Sequence, residues 1–205
     1  MPLSPQPSQA ILPGLIGSRT RLVAFIGGGG KTALMYLWAR CLKAAGFSVI
    51  TAATTKLSAT PQPEVDFIHT SKLAAARFFC ARIPDSKNIP TLYAGLLTEV
   101  NKLEGLPPEW LDKLSQEFPE TIFLVEADGS AGRSLKGHGP HEPVIPNSAG
   151  LVVPIIGLDS HGQTISEIVV HRPETFCRIT GAKMGDCLSE AHIASVLLNP
   201  AGYLA

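Results

Sequence analysis

Short β-prone runs alternate along this chain with longer segments whose apolar residues recur every three or four positions. Residues 22–26, 48–53, 65–69, 89–93, 121–126 and 151–156 are the short runs, and each predicts a strand. Helical spacing predicts helices over 31–45, 72–82, 107–118 and 189–198. In the first of these, Leu34, Leu37, Trp38, Cys41 and Leu42 carry the pattern, and Gly46 supplies the stop. Pro107 and Pro108 open the third, where a missing N–H costs nothing. The run at 121–126 is continuous, as a central strand buried on both faces requires. Pro154 places the run at 151–156 at a strand end or a sheet edge. Strand, helix, strand in succession predicts an α/β fold, a mostly parallel sheet with right-handed crossovers and flanking helices.

Two stretches escape the pattern. Residues 1–20 hold four prolines and read as an irregular lead-in. Residues 127–149 form a glycine-, proline- and histidine-rich loop, long enough to predict a functional role or disorder. No internal repeat and no second core is evident, so residues 21–205 are expected to form one domain. The chain stops at Ala205 just past a helix, where another strand would be expected, so the length suits either one whole domain or one slightly cut short at its C-terminus.

The chemistry begins where the first strand ends. Phe25-Ile26-Gly27-Gly28-Gly29-Gly30-Lys31-Thr32 joins a strand to a helix through four glycines. Residues without Cβ let backbone N–H groups approach phosphate oxygens, and the helix start aims further N–H groups and its positive dipole end at the same anion. Lys31 would reach the β- and γ-phosphates as a ligand-facing group, and the Thr32 hydroxyl would coordinate Mg²⁺. The pattern is the short G-x-x-G-K-T form, seen in P-loop proteins such as the Mur ligases, because the first glycine of the longer G-x-x-x-x-G-K-[ST] form would fall on Phe25. The plainer alternative is a glycine-rich turn with an exposed lysine. The strand and helix on either side favour a phosphate loop in a P-loop NTPase-like domain, with ATP or GTP as the ligand.

A second constellation, Glu126-Ala127-Asp128-Gly129, ends the continuous strand. P-loop NTPases place an acid beside the strand that feeds the phosphate loop, where it handles Mg²⁺ or the attacking water. Two carboxylates two positions apart on an extended chain point the same way, so both would face one cavity. A pair of solvated loop acids is the alternative. Thr54-Thr55-Lys56 ends the second strand: Thr55 meets Mg²⁺ or the γ-phosphate and Lys56 neutralises charge, or the segment merely caps a turn. In the long loop Arg133 is the candidate for a cis arginine stabilising transferred charge. Lys136, His138, His141 and Glu142 lie nearby; no regular element fixes the histidines, which are read as solvated rather than metal-bound. Asp159, His161, His171 and Arg172 are weaker candidates for the same cleft.

Charge and cysteine content narrow the partners. Lysine plus arginine number 17 and aspartate plus glutamate 17, which supports neither nucleic-acid binding nor attraction to an anionic membrane. Four scattered cysteines without a C-x-x-C pair argue against a disulfide framework or structural zinc and fit a reducing cytoplasm. The first residues lack the basic and apolar regions of a signal peptide, and no apolar run has the length of a membrane span.

Taken in order, the motifs resemble one family. They are Phe25 to Thr32, Thr54-Thr55-Lys56-Leu57, Val125-Glu126-Ala127-Asp128-Gly129-Ser130, Leu135-Lys136, His141-Glu142-Pro143-Val144-Ile145-Pro146, Gly157-Leu158-Asp159 and Val170-His171-Arg172-Pro173-Glu174. Over about residues 20–200 they are similar to the YqeC family, accessory proteins of selenium-dependent molybdenum hydroxylases, and the E-x-D-G-S and H-E-P-V-I-P segments are specific to it. The resemblance implies a P-loop fold and a role in maturing the molybdenum cofactor, with a molybdenum hydroxylase or a molybdopterin-type cofactor as partner. Glu126-x-x-Gly129 also looks like the E-x-x-G of GTPases that load nickel or cobalt.

Two functions are therefore expected. One is an Mg²⁺-dependent nucleotide hydrolase or transferase in which Lys31, Glu126, Asp128 and Arg133 act in catalysis, Gly27 to Thr32 with Thr55 and Lys56 bind nucleotide, and Thr32 and Glu126 hold the metal. The other is a nucleotide- or cofactor-binding chaperone with negligible turnover.

Overall fold

A computed structural model describes residues 14–83 and 88–203. The lead-in up to residue 13 and the last two residues lie outside the described residues. The strands are β1 (Leu22–Gly27), β2 (Ser48–Ala53), β3 (Leu57–Ser58), β4 (Val65–His69), β5 (Ile89–Tyr93), β6 (Gly95–Leu97), β7 (Lys102–Glu104), β8 (Thr121–Glu126), β9 (Leu135–Lys136), β10 (Leu151–Ile155) and β11 (Val170–His171). The helices are α1 (Lys31–Ala44), α2 (Leu73–Cys80), α3 (Pro108–Glu117), α4 (Pro173–Thr180) and α5 (Glu190–Leu198).

Six of these strands form one sheet in the order β10-β1-β8-β2-β5-β4. β2 runs parallel to both β8 and β5, and β4 runs parallel to β5. The expected α/β class, a mostly parallel sheet with flanking helices, is the observed one. Every residue of β1 and β8 is buried, as their continuous patterning requires. β10, which carries Pro154, lies at the sheet edge, where a strand can lack an N–H without breaking a ladder. The order also sets β8 beside β1, so the acid ending β8 belongs to the strand next to the one that feeds the glycines.

The chain divides into two compact units, each built from separated segments. The first comprises the chain up to Ala24, Thr32–Glu126 and Ile145–Val152. In it α1 buries Met35, Trp38, Ala39 and Leu42, while Leu37 falls off the buried face. Gly46, at φ +88°, ends α1 as expected: its N–H bonds to the Lys43 carbonyl and that of Phe47 to the Leu42 carbonyl. A three-stranded antiparallel sheet, β3-β7-β6, has no counterpart in the sequence expectations. Its strands are too short for periodicity to register.

The second unit comprises Phe25–Lys31, Ala127–Val144 and Val153–Ala205. Here the expected long loop is tied down. β9 pairs in parallel with β11, Leu135 to Val170 and Lys136 to His171. The Lys136 N–H also donates to the Tyr203 hydroxyl at 3.1 Å. α4 follows β11 directly and was not expected. Arg172 precedes it in the left-handed region at φ 58°, and Pro173 takes its first turn.

Candidate functional site

In the first unit, the end of β8 meets the start of α1. Thr32 Oγ1 donates to Glu126 Oε2 at 2.6 Å, joining residues 94 apart in the chain. Glu126 is 7% exposed. Next to β8, the end of β2 is fixed by the Thr54 N–H bonding to the Glu126 carbonyl. Thr55 Oγ1 is buried with no hydrogen-bond partner among the described residues. An orphaned buried hydroxyl costs roughly 1–3 kcal/mol. Gly105 packs against the Thr54–Thr55 backbone, where a Cβ would come within 2.6 Å. Lys56 is exposed. Among the described residues no three His, Cys, Asp or Glu side chains gather to hold a metal ion. A cation at Thr32 and Glu126 would therefore take its other ligands from water or a bound anion, the usual habit of Mg²⁺.

In the second unit, the glycine turn is bound to its surroundings on several sides. Gly27, Gly29 and Gly30 have φ of 96°, 74° and 93°. The Gly27 N–H donates to Asp128 Oδ2 at 2.9 Å, that of Gly28 to the Ile155 carbonyl and that of Gly29 to the Arg133 carbonyl. Three of the four glycine donors thus have protein acceptors. The Gly30 N–H has none among the described residues, and the first N–H groups of a helix are open in any case. Gly29 is fixed by contact as much as by torsion, since a Cβ there would sit 2.2 Å from the Gly157 nitrogen, and Gly28 by contact alone, its Cβ meeting the Arg133 carbonyl at 2.8 Å.

Lys31 is 3% exposed rather than facing outward. Its Nζ donates to the Gly27 carbonyl at 2.5 Å and lies 3.2 Å from Asp128 Oδ1. Asp128 is fully buried, and its other oxygen takes His138 Nε2 at 2.7 Å and lies 3.4 Å from Lys136 Nζ. Burial pushes the Asp128 carboxyl up, but the His138 hydrogen bond, Lys31, Lys136 and the Gly27 N–H outweigh it and hold the pKa at about 2. Lys136, also fully buried, donates to the Gly129 carbonyl at 2.5 Å and pairs with Glu142 at 2.9 Å. Glu142 in turn pairs with Arg172. Burial raises the Glu142 pKa too, yet Arg172 and Lys136 bring it down to about 2. A continuous chain of ion pairs thus runs from the glycine turn through Asp128, Lys136 and Glu142 to Arg172.

Glu126 and Asp128 point the same way on an extended chain only if that extension holds, and β8 ends at Glu126. Each has its own partners: a hydroxyl for Glu126, buried cations for Asp128. His138 is not solvated. Only 7% exposed, it bonds through Nδ1 to the Gly202 carbonyl and lies against the Tyr203 ring, centroids 4.8 Å apart. His141 is exposed. The Arg133 guanidinium donates to the Ala131 and Glu167 carbonyls at 2.6 and 2.9 Å. Tyr203 was missed altogether. It lies over the turn, where a Cβ on Gly27 would come within 2.8 Å of its ring. Nothing local in Gly202-Tyr203 announces such a contact.

A family model described as YqeC protein matches residues 23–174. "Uncharacterized protein YqeC" of Escherichia coli (strain K12) is 30% identical over 190 residues, covering 90% of this chain and 70% of that protein. No solved structure matches the chain.

Proposed function

The chain belongs to the YqeC family, and from that premise we propose that it is a nucleotide-binding accessory protein, an Mg²⁺-dependent NTPase that assists maturation of the cofactor of selenium-dependent molybdenum hydroxylases. The observation that carries the reading is the 2.6 Å contact between Thr32 Oγ1 and Glu126 Oε2. Adjacent ligands of an octahedral Mg²⁺ stand about 3.0 Å apart, from metal–oxygen distances of about 2.1 Å. A hydroxyl and a carboxylate so placed need to part by only a few tenths of an ångström to share the ion. Bound Mg²⁺ would neutralise charge on the phosphates.

The remaining work falls to the chain itself. Phosphate oxygens meet the N–H groups from Gly30 onward, at the start of α1, because those of Gly27, Gly28 and Gly29 are engaged within the protein. Lys31 supplies the cation, exchanging the Gly27 carbonyl for a phosphate oxygen. Asp128 is a positioning residue that holds Lys31 in place. Thr55 offers its unpartnered hydroxyl to the same ligand or to its water. Glu126 orients the attacking water.

Binding without turnover is the second reading, and the enclosure of Asp128 favours it, since that carboxylate is in no position to activate water. Steady-state phosphate release, with and without a molybdenum hydroxylase client, separates the two. The NTPase reading expects Mg²⁺-dependent release that drops at least tenfold in Glu126→Gln while nucleotide affinity persists. Nucleotide binding with no release supports the second reading. Absence of nucleotide binding overturns the NTPase reading and reduces the second to cofactor binding.

A further inference from the structure

The ion-pair chain leads away from the glycine turn to a place that the nucleotide reading does not use. In the second unit, a cleft of about 320 Å³ opens between the segment around Arg133 and the β11–α4 junction. Arg133, His171 and Arg172 line it together with the apolar Val170 and Pro173. We propose that this cleft binds the oxyanion group, phosphate or carboxylate, of a small molecule with an apolar or planar body.

Three observations bear on it. The first is unfilled donor capacity. Arg172 donates one guanidinium nitrogen to Glu142, and Arg133 donates Nε and Nη1 to two carbonyls. Nε and Nη2 of Arg172 and Nη2 of Arg133 make no hydrogen bond among the described residues. Guanidinium groups with open donors in one concavity match the forked geometry of an oxyanion.

The second is charge. Along the ion-pair chain, Lys31, Lys136 and Arg172 face only two carboxylates, Asp128 and Glu142. Arg172 is 39% exposed whereas Lys31 and Lys136 are buried, so of the three cations it is the one open to a ligand in the cleft. Burial and then the positive fields of Arg172, Lys136 and Arg133 lower the His171 pKa, and the Glu142 carboxylate only partly opposes them. Glu167 and Glu174 complete the lining as exposed residues, and they set a limit on how many negative charges the ligand carries.

The third is placement. Ala131 and Arg172, two non-glycine residues at positive φ (50° and 58°), both line this cleft. Each such torsion is strained and persists where surrounding structure imposes it, often at a ligand site. The volume sits at the lower end of small-molecule pockets, so a bare ion would leave space beside Val170 and Pro173.

Calorimetric titration of the full chain without nucleotide, using inorganic phosphate, phenyl phosphate and benzoate, tests the proposal. Side-chain ¹⁵Nε resonances of Arg133 and Arg172 are followed in parallel. Saturable binding of phenyl phosphate or benzoate that shifts both resonances is expected, and which of the two binds more tightly tells phosphate from carboxylate. Affinity should fall tenfold or more in Arg133→Gln, whose native contacts are two carbonyls only, and in Arg172→Gln. Arg172→Lys keeps the partner of Glu142 and guards against a folding failure; it should still lose affinity because the fork is gone. Shifts of the Arg133 and Arg172 resonances in nucleotide-free protein report this cleft and not the glycine turn, which keeps the result apart from the nucleotide reading. No saturable binding by any probe, or binding indifferent to both Arg133→Gln and Arg172→Lys, overturns the proposal.

Discussion

Asp128 shows how a single residue organises the turn. Its carboxylate meets Lys31, Lys136, His138 and the Gly27 N–H, and no water reaches it. Replacing it by asparagine keeps the shape and removes the charge that two buried ammonium groups rely on. Breaking a buried pair in this way costs about 3–5 kcal/mol. Asp128→Asn should therefore lower the free energy of urea unfolding by about that amount. Glu126→Gln, which keeps an acceptor for the Thr32 hydroxyl, should cost less than Asp128→Asn. Equal losses in the two variants would contradict the separate roles. Composition and spacing identify both acids as candidates but do not distinguish them. The distinction rests on Lys136 and His138, which look in the sequence like loop residues and are buried only because Tyr203 and β11 close over them.

At the level of elements, the glycine turn and α1 were legible because local rules dictate them: an apolar run, residues tolerant of positive φ, then helical spacing closed by Gly46. β9 and β11 were not, since a two-residue pair is defined by its partner and not by its own pattern. The turn itself makes a prediction. Gly29 and Gly30 both hold positive φ, at 74° and 93°, and alanine at either pays about 1–2 kcal/mol for that torsion. A Cβ at Gly30 meets open space, whereas at Gly29 it collides with Gly157 backbone. Gly29→Ala should be the more destabilising by at least about 1 kcal/mol in thermal or urea unfolding. The reverse order would mean that the turn is not packed against Gly157 as described.

For the molecule as a whole, the two depressed carboxylates set an acid limit. Asp128 and Glu142 titrate near 2 in the folded protein, below their ordinary 3.8 and 4.5. The folded state thus binds fewer protons than the unfolded one at these positions. The stability they contribute is complete above about pH 4.5 and is lost as pH falls toward 2. The Asp128 shift alone is worth about 2 kcal/mol. Unfolding free energy measured by urea titration should fall across that window, and less so in Asp128→Asn. A wild-type curve no steeper than that of the variant would contradict the ion-pair chain. None of the helices in the described residues is long and apolar enough to cross a membrane.

Nucleotide binding at Gly30, Lys31 and Thr32 is the central claim, and isothermal titration with ATP and GTP, in Mg²⁺ and in EDTA, tests it most directly. Removing the Lys31 charge takes away a charge-assisted contact of about 1.5–3 kcal/mol. Lys31→Met should therefore weaken binding about tenfold or more. Thr32→Val should abolish most of the difference between Mg²⁺ and EDTA. Binding that is unaltered by both substitutions and by chelation would contradict the account, as would the absence of any heat with either nucleotide.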